Sequence, residues 1–191
     1  MSTVLAGLEK MTGGDAPAPP PISYSLSTPA FPAPQTSPGR ALTMQIALPE
    51  PTAQVAYETQ KVLVARSPNQ LKLLEEGQWA DSVPRLVQAK MVDSLENADF
   101  ADVAKAIDGF TPDIQLLLEI RSFEIVVGEP PRARSVIYAK WFAADGKIAA
   151  QRSFDAKAPV MVVDGPVGAA ALNEAFKTIA RGIVVWARTA M

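Results

Sequence analysis

From Ile114 to Phe154 apolar and polar positions alternate along three extended runs, about Ile114 to Val127, Ala133 to Ala143 and Lys147 to Ala156. Period-two alternation of that length predicts three strands in succession. Ala144-Asp145-Gly146-Lys147 separates the second run from the third, and Asp-Gly at that place predicts a hairpin with a type I′ turn, which needs positive φ at both central residues. Gly128 to Arg132, with Pro130-Pro131, makes the turn between the first two. The first run is long enough to expect a bulge or bend within it.

Upstream, Leu42, Met44, Ile46 and Leu48 alternate with small or polar residues until Pro49 and Pro51 stop the run. Lys61 to Ala65 reads as a buried strand and Gln70 to Leu74 as its hairpin partner, across the Ser67-Pro68-Asn69 turn. The spacing then changes to that of a helix. Ser82 is the expected N-cap, Pro84 fits the first turn, and Val83, Leu86, Val87, Met91 and Leu95 fall on one face. A short second helix is expected from Ala101 to Ile107, with Asp99 as cap and Gly109 beyond its end. The final helix begins at Gly165-Pro166, with proline at the first helical position, and presents Leu172, Phe176, Ile179, Ala180, Ile183, Val184 and Ala187 as a broad apolar face. Arg181 and Arg188 interrupt its apolar run, which is far shorter than the roughly 20 residues that span a bilayer.

The sum is an α/β chain, a single domain with a mixed sheet of about five to six strands flanked by helices. Residues 1–40 read as a Pro-rich tether and 41–191 as the domain. Pro17, Pro19, Pro20, Pro21, Pro29, Pro32, Pro34 and Pro38 bar both helix and central strand, and favour an extended, semi-rigid course. Such a tract also suits aromatic peptide-binding grooves, but a plain spacer is the commoner use. Ile22 to Leu26 interrupts it with an alternating pattern fit for a short edge strand.

Charge and composition then remove whole classes of function. With 18 basic and 20 acidic residues the net charge is −2, and no electrostatic footprint for nucleic acid is present. The chain has no histidine and no cysteine, which takes away the usual zinc ligands, the Ser-His and Cys-His nucleophiles, and disulfides. No catalytic residue, cofactor or metal site is expected. Gly13-Gly14 and Gly165-Pro166-Val167-Gly168 lack the strand, Lys and Ser/Thr context of a phosphate loop.

What remains are carboxylate pairs and exposed-type aromatics. Asp99 with Asp102, or Glu119 with Glu124, would be the acid-base pairs of an enzyme, although nothing converges on them. Glu75-Glu76 reads as a solvated turn. Arg121 and Glu124 are either a functional charge cluster or, more in keeping with a strand, its solvated face or a cross-strand ion pair. Trp79 and Trp141 are the candidate partner-binding residues, since tryptophan is a frequent interface anchor. The competing reading is that both complete a core, as aromatics beside a strand or at a helix start usually do.

Leu5-Ala6-Gly7 has the residue types that precede the lipidated cysteine of a bacterial lipoprotein, but Leu8 holds the apparent lipidation position. Only four residues precede Leu5, so the charged and apolar regions of a signal peptide are missing, and this polypeptide is expected neither to be lipidated nor exported by that route. Either the match is chance or a secretion signal has been removed and an anchor cysteine replaced.

Several signatures in order resemble the ABC-type transport auxiliary lipoprotein component family, which includes the paraquat-inducible protein C-like lipoproteins. They are Tyr24 and Leu26, the strand Lys61 to Ala65, Trp79-Ala80 followed by Ser82-Val83-Pro84-Arg85-Leu86-Val87-Gln88, and Leu118-Glu119-Ile120-Arg121-Ser122-Phe123-Glu124. Ala139 to Phe142, Asp145-Gly146, Gln151-Arg152-Ser153-Phe154 and an alanine-rich helix ending near Trp186 complete the series. The resemblance implies a mixed sheet flanked by helices, and a periplasmic domain beside an ABC permease and ATPase. It further implies a mammalian-cell-entry (MCE) type substrate-binding protein as partner, with the system moving lipids between the inner and outer membranes. The native form would hold to a membrane through a lipid anchor, and a homo-oligomer stays open. The rival readings are a protein-binding assembly module that works by sheet-edge addition, unrelated to transport, and a carboxylate-based enzyme.

Overall fold

Thirteen consecutive residues, Ile114–Val126, form the strand around which the rest is arranged. A computed structural model describes residues 22–31, 42–67, 69–105 and 112–190. In chain order the first strands are β1 (Ser23–Tyr24), β2 (Leu42–Ala47), β3 (Thr52–Ala53), β4 (Leu63–Ser67), β5 (Gln70–Leu73) and β6 (Gln78–Trp79). Helix α1 (Val83–Glu96) and β7 (Phe100–Ala104) follow, then β8 (Ile114–Val126), β9 (Arg132–Ala143), β10 (Ile148–Pro159) and α2 (Gly165–Ala190).

Strands β8, β9 and β10 make the antiparallel meander that their alternation predicts. The hairpin at Asp145-Gly146 forms with different chemistry from the expected type I′ turn. Gly146 has φ 77° while Asp145 stays at negative φ, and Gly146 N–H donates to Ala143 C=O at 2.9 Å. Ala143 N–H in turn donates to Lys147 C=O at 2.9 Å. This is a type I turn closed by a glycine in the left-handed region, which needs only one residue with positive φ.

The other edge of β8 takes three short segments in succession, all parallel to it. Ile46 of β2 registers with Ile114, Thr52 of β3 with Glu119, and Val64 of β4 with Ile125. Outside them, β7 pairs parallel with β2 and β5 antiparallel with β4. Among the described residues the main sheet thus holds 8 strands. It exceeds the expected count because β3 is two residues long and β7 lies where a helix was expected.

The helix expected from Ala101 to Ile107 is replaced by strand over Phe100–Ala104; residues 106 and 107 lie outside the described ones. Asp99 does not cap a new helix. It has φ 62°, a left-handed residue that ends the turn after α1. Phe100, 2% exposed, then anchors β7 in the core beside β2, and that burial outweighs the modest helix propensity of the alanines around it.

Both helices carry the predicted apolar faces into the core. Val83, Leu86, Val87, Met91 and Leu95 of α1 are buried, as are Leu172, Phe176, Ile179, Ala180, Ile183, Val184 and Ala187 of α2. At α1 the backbone C=O of Ser82 accepts from Leu86 N–H, but the Ser82 hydroxyl makes no capping bond. At α2 the cap is Asp164, whose Oδ1 accepts from Val167 N–H at 2.8 Å, so Pro166 sits one position further in than expected.

Ser23–Tyr24 pairs parallel with Gln78–Trp79 in a small sheet of its own. The segment then runs across both helices: Ser27 N–H donates to Asn173 Oδ1 at 2.7 Å and Thr28 Oγ1 to Asp93 Oδ2 at 3.3 Å. Leu26 is buried beneath it. The folded body therefore begins ahead of position 41, where the sequence places the boundary, because an apolar residue in the Pro-rich tract finds a core to enter. Residues 1–21 and 32–41, which hold most of that tract together with Leu8 and Gly13-Gly14, lie outside the described residues.

Candidate functional site

A strict alternation along β8 would carry Ser122 and Glu124 to the helix side with Ile114, Leu116, Leu118 and Ile120. A bulge between Ile120 and Ser122 prevents it: Ile120 registers with Ile137 and Ser122 with Val136, which leaves Arg121 as the extra residue. Phe123 and Ile125 enter the core, and Ser122 and Glu124 turn to the opposite face. There Glu124 is buried, 7% exposed. A buried carboxylate needs donors. Glu124 Oε2 accepts from Tyr57 Oη at 2.6 Å and from Phe123 N–H at 2.8 Å, and Oε1 accepts from Ser122 Oγ.

Tyr57 reaches it from the 3-10 turn Val55–Tyr57, which connects β3 to β4. Both of those strands are fastened to the same edge of β8, at Glu119–Ile120 and at Ile125–Val126, so the connection crosses the face between them. Burial first, and then the Glu124 carboxylate, push the Tyr57 phenol well above its ordinary value near 10. The cluster is satisfied by its own members, and neither groove described below includes it. Its chemistry is that of a tie between the turn and β8.

The carboxylate pairs suggested by the sequence do not converge. Glu119 and Glu124 are separated along β8 by about 16 Å at strand rise. Arg121 Nε donates to Glu119 Oε1 at 2.9 Å, and its guanidinium lies 4.1 Å from the centre of the Tyr138 ring. The hydrogen bond from Arg121 holds the Glu119 carboxyl below its usual range. Arg121 thus pairs within its own strand on a solvated face, and Glu124 takes no part. Asp99 stands in the turn after α1 while Asp102 is exposed on β7, and Glu75-Glu76 is an exposed bend. Among the described residues no group of three or more acidic side chains could hold a metal ion.

Trp79 and Trp141 are each 1% exposed. Trp79 meets Tyr24 edge-on at 6.3 Å and Phe123 at 5.7 Å, and Trp141 meets Trp186 at 6.1 Å. As placed, neither indole is offered to a partner; each fills the space between a strand and its neighbours.

Two grooves of different character stand out among the described residues. One, of about 340 Å³, lies at the start of α1 between Glu50, Glu58, Asp81 and Arg85, with Arg85 3.6 Å from Glu50 and 3.8 Å from Asp81. The other, of about 530 Å³, lies between β10 and the last turns of α2, and is floored by Phe154, Val185 and Trp186. Sequence reasoning missed both grooves. It also missed Tyr57, whose one visible signal was that Glu124 sits in the apolar run Phe123 to Val127 and had to be bonded by something.

A model of the ABC-type transport auxiliary lipoprotein component family matches residues 24–184, from β1 to the last turns of α2. The chain belongs to that family. Protein bll6063 of Bradyrhizobium diazoefficiens, itself described as uncharacterized, is 37% identical over 187 residues, covering 96% of this chain and 49% of its own length. The chain thus spans about half the length of that curated relative. Among solved structures, protein XCC0632 of Xanthomonas campestris superposes with a TM-score of 0.79 at 22% identity, covering 88% of this chain and 95% of that one. A second, described only as an uncharacterized protein, gives 0.68 at 12% identity, covering 86% and 96%. At such identities these two share the fold.

The family is described as an auxiliary component of ABC-type transport, of lipoprotein type. No helix among the described residues is long and apolar enough to cross a membrane.

Proposed function

We propose that this chain is a non-enzymatic periplasmic component of an ABC transport system, and that it docks an MCE-type substrate-binding protein within a machine that moves lipids between the inner and outer membranes. The observation that carries the reading is the family match over residues 24–184, which takes in every element from β2 to β10 and the greater part of α2. The geometry is compatible with it. The buried carboxylate is held by Tyr57, Ser122 and the Phe123 backbone, and the open grooves are lined by side chains suited to contact.

On this reading the folded body supplies a rigid surface, and a lipid anchor on the native N-terminal region holds it at a membrane. Co-purification from cells that express the ABC operon tests it. The MCE-type protein is expected to accompany the tagged chain in stoichiometric amount. Repeated recovery of the chain alone, while the MCE-type protein is intact in the same extract, would remove the proposal.

A further inference from the structure

The strand order of the main sheet ends on β10, and among the described residues nothing pairs with its outer edge. That edge runs for 12 residues, and an edge of such length presents backbone N–H and C=O groups ready for another strand. Natural edges are often guarded by charge, and Arg152, Asp155 and Lys157 do stand along this one. A guarded edge, however, needs no apolar floor beside it. Here Val185 is 62% exposed on the neighbouring helix, next to the rings of Phe154 and Trp186. Gly182 belongs to the same floor, where a methyl group would come within 3.1 Å of the Phe154 ring.

The charges of the groove are unbalanced. Arg85, Arg121 and Arg134 all have carboxylate partners, whereas among the described residues Arg152 and Arg181 make no ion pair. Arg152 instead lies 5.4 Å from the centre of the Phe154 ring, on the same face of β10 two residues away.

We propose that the β10 edge and this groove bind an extended segment of a partner protein in which acidic and apolar side chains are spaced two residues apart. Its backbone adds to β10, the apolar side chain lies over Phe154, Val185 and Trp186, and the carboxylate meets Arg152 and Arg181. The spacing follows from strand geometry: positions i and i+2 of an added strand share a face and stand opposite Arg152 and Phe154. A lipid fits the same residues less well. An acyl chain leaves the strand's backbone groups unpaired, and the groove is open to water along its length. This inference rests on the protein-docking part of the proposed function and on nothing in its transport part.

The experiment is selection of a displayed random decapeptide library on the purified chain, followed by fluorescence anisotropy with the enriched peptides. Enriched sequences are expected to place Asp or Glu two residues from Leu, Ile, Val or Phe. Arg152→Glu with Arg181→Glu, both exposed sites, should leave the melting temperature unchanged and weaken binding at least tenfold. Bound peptide should slow amide hydrogen exchange over residues 150–156. Peptides that bind the double variant equally well, protection elsewhere, or failure to enrich any peptide would overturn the inference. So would arginine-dependent binding of phosphatidylglycerol vesicles that peptide does not displace. If the double variant still captures the MCE-type protein as well as the intact chain does, this site is excluded and the proposed function stands. If the intact chain binds such peptides but never captures the MCE-type protein, the proposed function alone falls.

Discussion

Tyr57 donates its hydroxyl to Glu124 Oε2 at 2.6 Å, joining two residues 67 positions apart and tying the turn between β3 and β4 to the outer face of β8. The carboxylate is buried, so each donor matters to it. Hydrogen bonds to a charged group contribute about 1.5–3 kcal/mol each. Tyr57→Phe should lower stability by that amount in urea unfolding with little change in the slope. Glu124→Leu should cost less than loss of three bonds would imply, since the buried charge disappears with them.

The same pair makes the chain sensitive to alkali. Below pH 10 the Tyr57 phenol is protonated in the folded and the unfolded chain alike, and its contribution is complete. Above that the unfolded chain releases the proton while the folded one retains it, because burial and Glu124 raise the folded value. Stability should fall there by up to about 1.4 kcal/mol per pH unit for one such group. Tyr24 is also raised, by burial first and then by Asp164 and Glu76, so Tyr57→Phe should make the alkaline decline shallower without abolishing it. Thermal melts from pH 8 to 11.5 measure both slopes.

Trp79 and Trp141 should behave as core residues. Truncation of either to alanine is expected to cost about 3–5 kcal/mol, the range for a large buried aromatic. Calorimetry should therefore register the loss before any partner assay does. A variant that kept its melting temperature and lost only partner capture would restore the interface reading of these two residues.

Gly165 opens α2 against the loop before β6. A methyl group there would meet the Glu76 carbonyl oxygen, which is backbone, and come within 2.9 Å of Tyr24 Oη. Gly165→Ala should destabilise by about 1–3 kcal/mol despite alanine's better helix propensity.

Asp164→Ala, at the neighbouring cap, should cost about 1 kcal/mol through loss of the bond to Val167 N–H. The two losses should fall short of additive in a double variant, since both loosen the same turn. Chemical denaturation of the single and double variants measures this.

The amino-acid sequence by itself determined the elements whose signal is local and long. The β8–β10 meander follows from period-two alternation, and the faces of α1 and α2 from 3.6-residue spacing, because each pattern repeats often enough to specify which side is apolar. Its ordered signatures also carried the family. The tertiary structure alone decided what depends on a distant partner. Phe100–Ala104 became a strand because β2 was there to pair with it. One extra residue at Arg121 turned Glu124 outward, and where Tyr57 would meet it depended on three short strands stacking along one edge of β8. Whether Trp79 and Trp141 faced water or core was decided in the same way. Local propensity amounts to a few tenths of a kcal/mol per residue, whereas burying one large side chain is worth about 1.5–3 kcal/mol, so for short segments packing decides.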